Sequence, residues 1–131
     1  MESDIFKILV VDDEKDIVDL VSSRLVREGY QVVTAFDGEE ALAQIKAEDP
    51  DVIILDLMMP KLNGLEVLKQ LRENPADKWR PVIIVSANAE LEAIKKCYNM
   101  EADLYLTKPC TMENLIRGVK TMISFIPMRL K

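Results

Sequence analysis

Ile8-Leu9-Val10-Val11-Asp12-Asp13 (ILVVDD, 8–13) decides the fold. Four apolar residues in a row read as a strand buried on both faces, and the run stops at two adjacent carboxylates. The pattern recurs in DVIILD (51–56), which ends in Asp56, and LYLTKP (104–109) carries Lys108. Acids at the tips of such strands are costly to bury without a partner. Three of them gathered together repel one another unless a cation sits among them. The pattern therefore predicts a divalent-cation pocket with a lysine beside it.

Working outward, strand and helix signals alternate five times. IFKILVV (5–11) is the first strand, and residues 14–28 place Ile17, Leu20, Val21 and Leu25 on one helical stripe that Gly29 stops. QVVTA (31–35) is a short strand. Asp37 caps the next helix, with Glu40 completing a capping box and Ala41, Leu42 and Ile45 inward. Pro50 breaks the chain before DVIIL (51–55), the third strand. MMPKLNG forms a loop shaped by Pro60 and Gly64, before a helix over 65–73 with Leu65, Leu68 and Leu71 inward. ENPADKWRP is a polar connection to PVIIVS (81–86). A helix near 89–98, a strand at 103–106 and a last helix follow. Thr111 caps that helix, Leu115, Ile116, Val119, Met122 and Ile123 are its apolar face, and Pro127 ends it. Five such units imply a parallel sheet covered by helices on both faces, with ligands at the carboxyl ends of the strands.

Composition narrows the function. A chain of 131 residues, 49% apolar, fits one domain with a substantial core. A net charge of −6 disfavours direct binding to nucleic acid or to an anionic membrane. No apolar run is long enough to span a membrane, and MESDIFK has no signal-peptide core, so a cytoplasmic location is expected. Cys97 and Cys110 show no metal spacing and are expected to be reduced thiols. The chain has no histidine, which excludes Ser-His-Asp and Cys-His nucleophiles, His-ligated zinc and a phosphohistidine carrier. An oxygen-lined site selects a hard cation, Mg2+ or Mn2+.

Each site residue has a plainer alternative. Asp12 and Asp13 could serve a helix N-terminus, but one acid suffices there. Asp56 stands about eight residues before its helix, too far to cap it, and suits a covalent nucleophile toward a phosphoryl group. Ser86 could cap the following helix or donate a hydroxyl to a bound phosphoryl oxygen. Lys108 would pair with Asp56 or with a phosphate, and a cis bond to Pro109 would aim it inward. Met58 would offer a metal only its backbone carbonyl.

Together, VVDDE, DLMMPKLNG (56–64), VSA (85–87) and YLTKP (105–109) resemble the receiver domain of two-component response regulators. The steps of 30 residues from Asp56 to Ser86 and 22 from Ser86 to Lys108 match as well. The resemblance spans residues 5–124 of a single domain, 1–131. It implies the flavodoxin-like (βα)5 three-layer fold with strand order 2-1-3-4-5. It implies that Asp56 is the phosphoacceptor and that Asp12, Asp13, Asp56 and the Met58 carbonyl hold Mg2+. Ser86 and Lys108 would bind the phosphoryl group, and Tyr105 would swing inward as Ser86 moves. Three departures stand out: Glu101 where glycine is common, Cys110 where an aromatic is common, and Ser86 for threonine. Met58 and Asn88 occupy positions that tune phosphoryl lifetime in the family.

The resemblance implies a switch phosphorylated by a histidine kinase or a histidine phosphotransfer protein. Its output surface would be the fourth helix (near 89–98), the fifth strand (103–106) and the last helix, which could also support a dimer. The tail IPMRLK is too short for an output domain. Output is therefore expected through a downstream protein target or relay of the phosphoryl group, unless the chain is the excised receiver of a longer regulator. Competing readings are a Mg2+-dependent aspartyl phosphohydrolase, a docking module indifferent to phosphorylation, and a flavin-binding protein of the same fold. The first lacks a general acid at Met58, and the last lacks a hydroxyl- and glycine-rich loop after the first strand.

Overall fold

The computed structural model describes residues 5–59 and 61–126. Pro60 and Pro127, assigned roles above in a loop and a helix end, lie outside the described residues. The strands are β1 (Lys7–Val11), β2 (Gln31–Ala35), β3 (Val52–Asp56), β4 (Val82–Ser86) and β5 (Leu104–Thr107). The helices are α1 (Lys15–Arg27), α2 (Gly38–Glu48), α3 (Gly64–Glu73), α4 (Leu91–Asn99) and α5 (Met112–Ile123). The five strands form one parallel sheet in the order β2-β1-β3-β4-β5, as expected.

Strand alternation divides the core in two. Leu9, Val11, Ile53, Leu55 and Ile84 face α2, α3 and α4, meeting Ala41, Ile45, Val67, Leu68, Leu71 and Cys97. Ile8, Val10, Val52, Ile54, Ile83 and Val85 face α1 and α5, meeting Val18, Val21, Leu25, Leu115, Val119 and Met122. Both faces of the central strands are thus dry, which is why those strands read as unbroken apolar runs.

Two details of the first strand and helix differ from the expected pattern. β1 begins at Lys7, and Ile5 is exposed. In α1, Leu20 faces solvent at 62% exposure, and Val18 takes the inward place beside Val21 and Leu25. Positions 17, 20 and 21 and positions 18, 21 and 25 both satisfy helical spacing, so periodicity alone does not separate them.

The helix ends show how local chemistry sets the loops. Asp37 accepts a hydrogen bond from the Glu40 N–H at 2.8 Å, and Glu40 accepts one from the Phe36 N–H. Thr111 caps α5 through the Asn114 N–H. α1 and α4 both end in a Schellman motif. In α1 the Tyr30 N–H reaches the Leu25 carbonyl and the Gly29 N–H reaches Val26, with Gly29 at φ 101°. In α4 the Ala102 N–H reaches the Cys97 carbonyl and the Glu101 N–H reaches Tyr98, with Glu101 at φ 71°. The motif is the same, but in α4 a side chain bears the left-handed backbone that glycine bears in α1. Glu101→Gly is expected to raise unfolding stability by about 0.5–1 kcal/mol, the left-handed strain less the added freedom of the unfolded chain. A urea titration showing a loss of stability would contradict this account.

Candidate functional site

The carboxyl ends of β1, β3 and β4 and the segment after β5 converge on one pocket. Asp12 follows β1 directly and is 4% exposed, while Asp13 is exposed at the rim. Asp56 is the last residue of β3 and is 5% exposed. Carboxylate oxygens of Asp12, Asp13 and Asp56 lie within 4.8 Å of one another. Lys108 Nζ stands 3.0 Å from Asp12 and 3.6 Å from Asp56. The lysine is therefore nearer Asp12 than the Asp56 partner anticipated from sequence, and it spans both. The Lys108–Pro109 bond is cis.

Local hydrogen bonds show why these acids sit where they do. Asp12 accepts the Glu14 N–H at 3.0 Å, and Glu14, not Asp12 or Asp13, is the N-cap residue of α1, with no side-chain cap. Asp56 accepts the Met58 N–H at 3.2 Å, while the Met58 side chain is exposed. The loop after Asp56 returns so closely that a Cβ on Gly64 would lie 2.2 Å from the Asp56 carbonyl oxygen, so only glycine fits. Asn63 supplies the α3 cap, which leaves Asp56 free of any capping duty.

Ser86 is fully buried, and its Oγ accepts the Asn88 N–H at 3.1 Å. It does not cap α4, whose N-cap residue is Glu90. Asn88 in turn accepts the Glu90 N–H through its side chain at 2.9 Å. These two turns hold residues 86–90 in a loop, so α4 starts later than its sequence pattern suggested. Tyr105 is already inward at 9% exposure, and its hydroxyl donates to the Asn88 carbonyl at 2.6 Å. Cys97 and Cys110 are free thiols, and burial pushes both thiol pKa values up.

The electrostatics are unbalanced. Burial pushes the Asp56 carboxyl above the usual carboxylate range. The charges of Asp12 and Asp13 add to that push, while the Met58 N–H and the Lys108 ammonium oppose it. For Lys108, burial disfavours the charge. The hydrogen bond to Asp12 and the charges of Asp56, Asp12 and Glu14 outweigh it and hold the ammonium above its ordinary pKa. A carboxyl raised in the fold costs stability while ionised and regains it as pH falls through the raised value. A bound cation gives the same relief at neutral pH. Three acids and one lysine leave a net charge of −2 in the cluster. One divalent cation neutralises that charge, so the donors present fit a hard ion such as Mg2+.

A 2-1-3-4-5 parallel sheet carrying acids, a hydroxyl and a lysine at its carboxyl edge defines a flavodoxin-like domain with an acidic pocket whose carboxylates could hold a cation. The model of the response regulator receiver domain matches residues 8–120. The chain is 45% identical over 119 residues to the alkaline phosphatase synthesis transcriptional regulatory protein PhoP of Bacillus subtilis, covering 89% of this chain and 48% of PhoP. It thus spans about half the length of that relative. It is 38% identical to protein PilG of Pseudomonas aeruginosa, over 96% of this chain and 94% of PilG. The solved structure of the chemotaxis protein CheY4 of Vibrio cholerae superimposes with a TM-score of 0.84 at 34% identity, covering 91% of this chain and 99% of CheY4. The chain belongs to the response regulator receiver domain family of two-component systems. Members of this family are phosphorylation-based signalling switches rather than metabolic enzymes. Among the described residues, no helix is long and apolar enough to cross a membrane.

Proposed function

We propose that this chain is a single receiver domain, with its core over about 5–124, that takes a phosphoryl group onto Asp56 and thereby alters its α4–β5–α5 surface. The observation that carries this reading is the cluster of Asp12, Asp13 and Asp56 within 4.8 Å, bridged by Lys108. The donor would be a histidine kinase or histidine phosphotransfer protein carrying a phosphohistidine. An Asp56 carboxylate oxygen forms the O–P bond as the P–N bond to the donor imidazole breaks, and the imidazole nitrogen keeps the electron pair and takes a proton. Asp12, Asp13, Asp56 and the Met58 carbonyl would hold Mg2+. When bound, the ion offsets charge on the transferring oxygens. Lys108 and the Ser86 hydroxyl bind the phosphoryl oxygens of the product.

The new charge then shifts an equilibrium between two forms of the output surface. The recipient would be a downstream protein target, an output domain or another phosphoryl carrier. PhoP is a transcriptional regulator and CheY4 a chemotaxis protein. Their printed roles differ while both resemble this chain, so the likeness supports the receiver chemistry and leaves the output open. A cytoplasmic location suits a kinase-dependent switch, and the acidic composition argues against direct contact with nucleic acid. Tracing the label from acetyl phosphate in Mg2+ to one residue by peptide mass spectrometry tests the reading, and a label seated elsewhere than Asp56 overturns it.

The cation site has its own test. Asp13→Ala removes the rim ligand, and is expected to weaken Mg2+ binding by at least about tenfold. The rise in melting temperature that Mg2+ gives the native chain should shrink accordingly. Equal rises for both proteins would remove Asp13 from the site.

A further inference from the structure

α4 is the most lightly held helix of the fold. It has nine residues, and Cys97, in its last turn, is its one buried side chain. Next to Cys97, the Tyr98 hydroxyl accepts a hydrogen bond from the Tyr105 N–H at 3.0 Å. β5 is an edge strand, so backbone groups on its outer side lack a neighbouring strand. Tyr98 therefore fastens the last turn of α4 to the open edge of the sheet. The Tyr105 side chain holds the loop before α4, through the Asn88 carbonyl. Asn88 in turn donates its N–H to Ser86. A series of hydrogen bonds thus runs from Ser86, at the carboxyl end of β4, through Asn88 and Tyr105 to Tyr98.

We propose that Tyr98 is a positioning residue for the switch, a latch whose hydroxyl holds α4 against β5 in the unphosphorylated form and must release for the output surface to rearrange. This rests on the reading of Asp56 and Ser86 given above. A phosphoryl group on Asp56 draws the Ser86 hydroxyl away from Asn88. Asn88 and Tyr105 then lose their fixed relation, and the Tyr105 N–H shifts relative to Tyr98. Releasing the latch costs free energy, which lowers the apparent affinity of the pocket for a phosphoryl group.

Tyr98→Phe removes the hydroxyl and keeps the ring, so the variant folds with α4 packed as before. Two measurements on the full chain decide the matter: amide exchange at Tyr105 by NMR without ligand, and titration with beryllofluoride in Mg2+. The Tyr105 amide is expected to exchange faster in the variant. Beryllofluoride should bind about two- to tenfold more tightly, the span a single neutral hydrogen bond carries. Unchanged exchange at Tyr105 would show that the hydroxyl holds nothing. Faster exchange with unchanged or weaker beryllofluoride binding would make the contact merely structural, and either result overturns the proposal. Failure of the native chain to bind beryllofluoride would overturn the phosphoacceptor reading first, and the latch with it.

Discussion

Asp56→Asn is expected to abolish covalent labelling by acetyl phosphate in Mg2+. The amide has no anionic oxygen to attack phosphorus, and it removes one of the three charges that bind the cation. A loss of at least about a thousandfold in labelling rate is the scale seen when a covalent nucleophile is removed. Misfolding would not explain the loss. The amide has nearly the volume of the carboxylate, and Asp56 carries a charge that burial already disfavours. Without Mg2+ the variant should therefore melt at the native temperature or above it. Labelling that persists on the peptide containing position 56 would reject Asp56 as the acceptor. A melting temperature well below the native value would mean that the carboxylate is needed for folding.

Arg80→Ala is expected to cost about 3 kcal/mol of unfolding stability with little change in the acidic pocket around Asp56. Arg80 is 3% exposed at the amino end of the sheet, far along the strands from Asp56. Its guanidinium donates to Asp77 and to the Pro50 carbonyl and lies 3.0 Å from Asp49. It thereby ties the α3–β4 connection to the start of β3. Removing it strips the largely buried Asp77 and the Pro50 carbonyl of their partner and opens a cavity, which is the expensive way to break a buried pair. Arg80→Met restores most of the volume and should recover part of the loss. Urea denaturation measures both. A cost under about 1 kcal/mol for the alanine variant would show that water replaces the guanidinium freely.

Sequence disclosed the gathering of the acids and the lysine better than the supports around them. β2 and β4 end where the segments QVVTA and PVIIVS were read to end, at Ala35 and Ser86. Asp12, Asp13, Asp56 and Lys108 meet as the strand pattern required, because a parallel sheet gathers its carboxyl ends. The Arg80 network was not legible. ENPADKWRP reads as a polar connection, and nothing local tells a solvated loop arginine from one folded beneath its own loop. Tyr98 was equally silent, since its partner is a backbone N–H seven residues on. Leu20 was misplaced because two helical stripes fit the same run, and only the tertiary packing of α1 on β1 and α5 selects Val18. Lys108 does pair with Asp56, but its closer contact with Asp12 was not legible, because sequence gives the strand a residue leaves and not its reach across the pocket.

The two-sided burial of the central strands has a consequence for alignment. Val, Ile and Leu fill odd and even positions of β1 and β3 alike, so oiliness alone would not object if either strand slid by one residue. The polar brackets object. Lys7 and Asp12 bound β1, Asp51 and Asp56 bound β3, and a slide in either direction drags one of them into hydrocarbon. The acids proposed to receive the phosphoryl group and its cation also serve as end stops, and a variant that neutralised both ends of one strand would lose its ruler together with that acidic pocket.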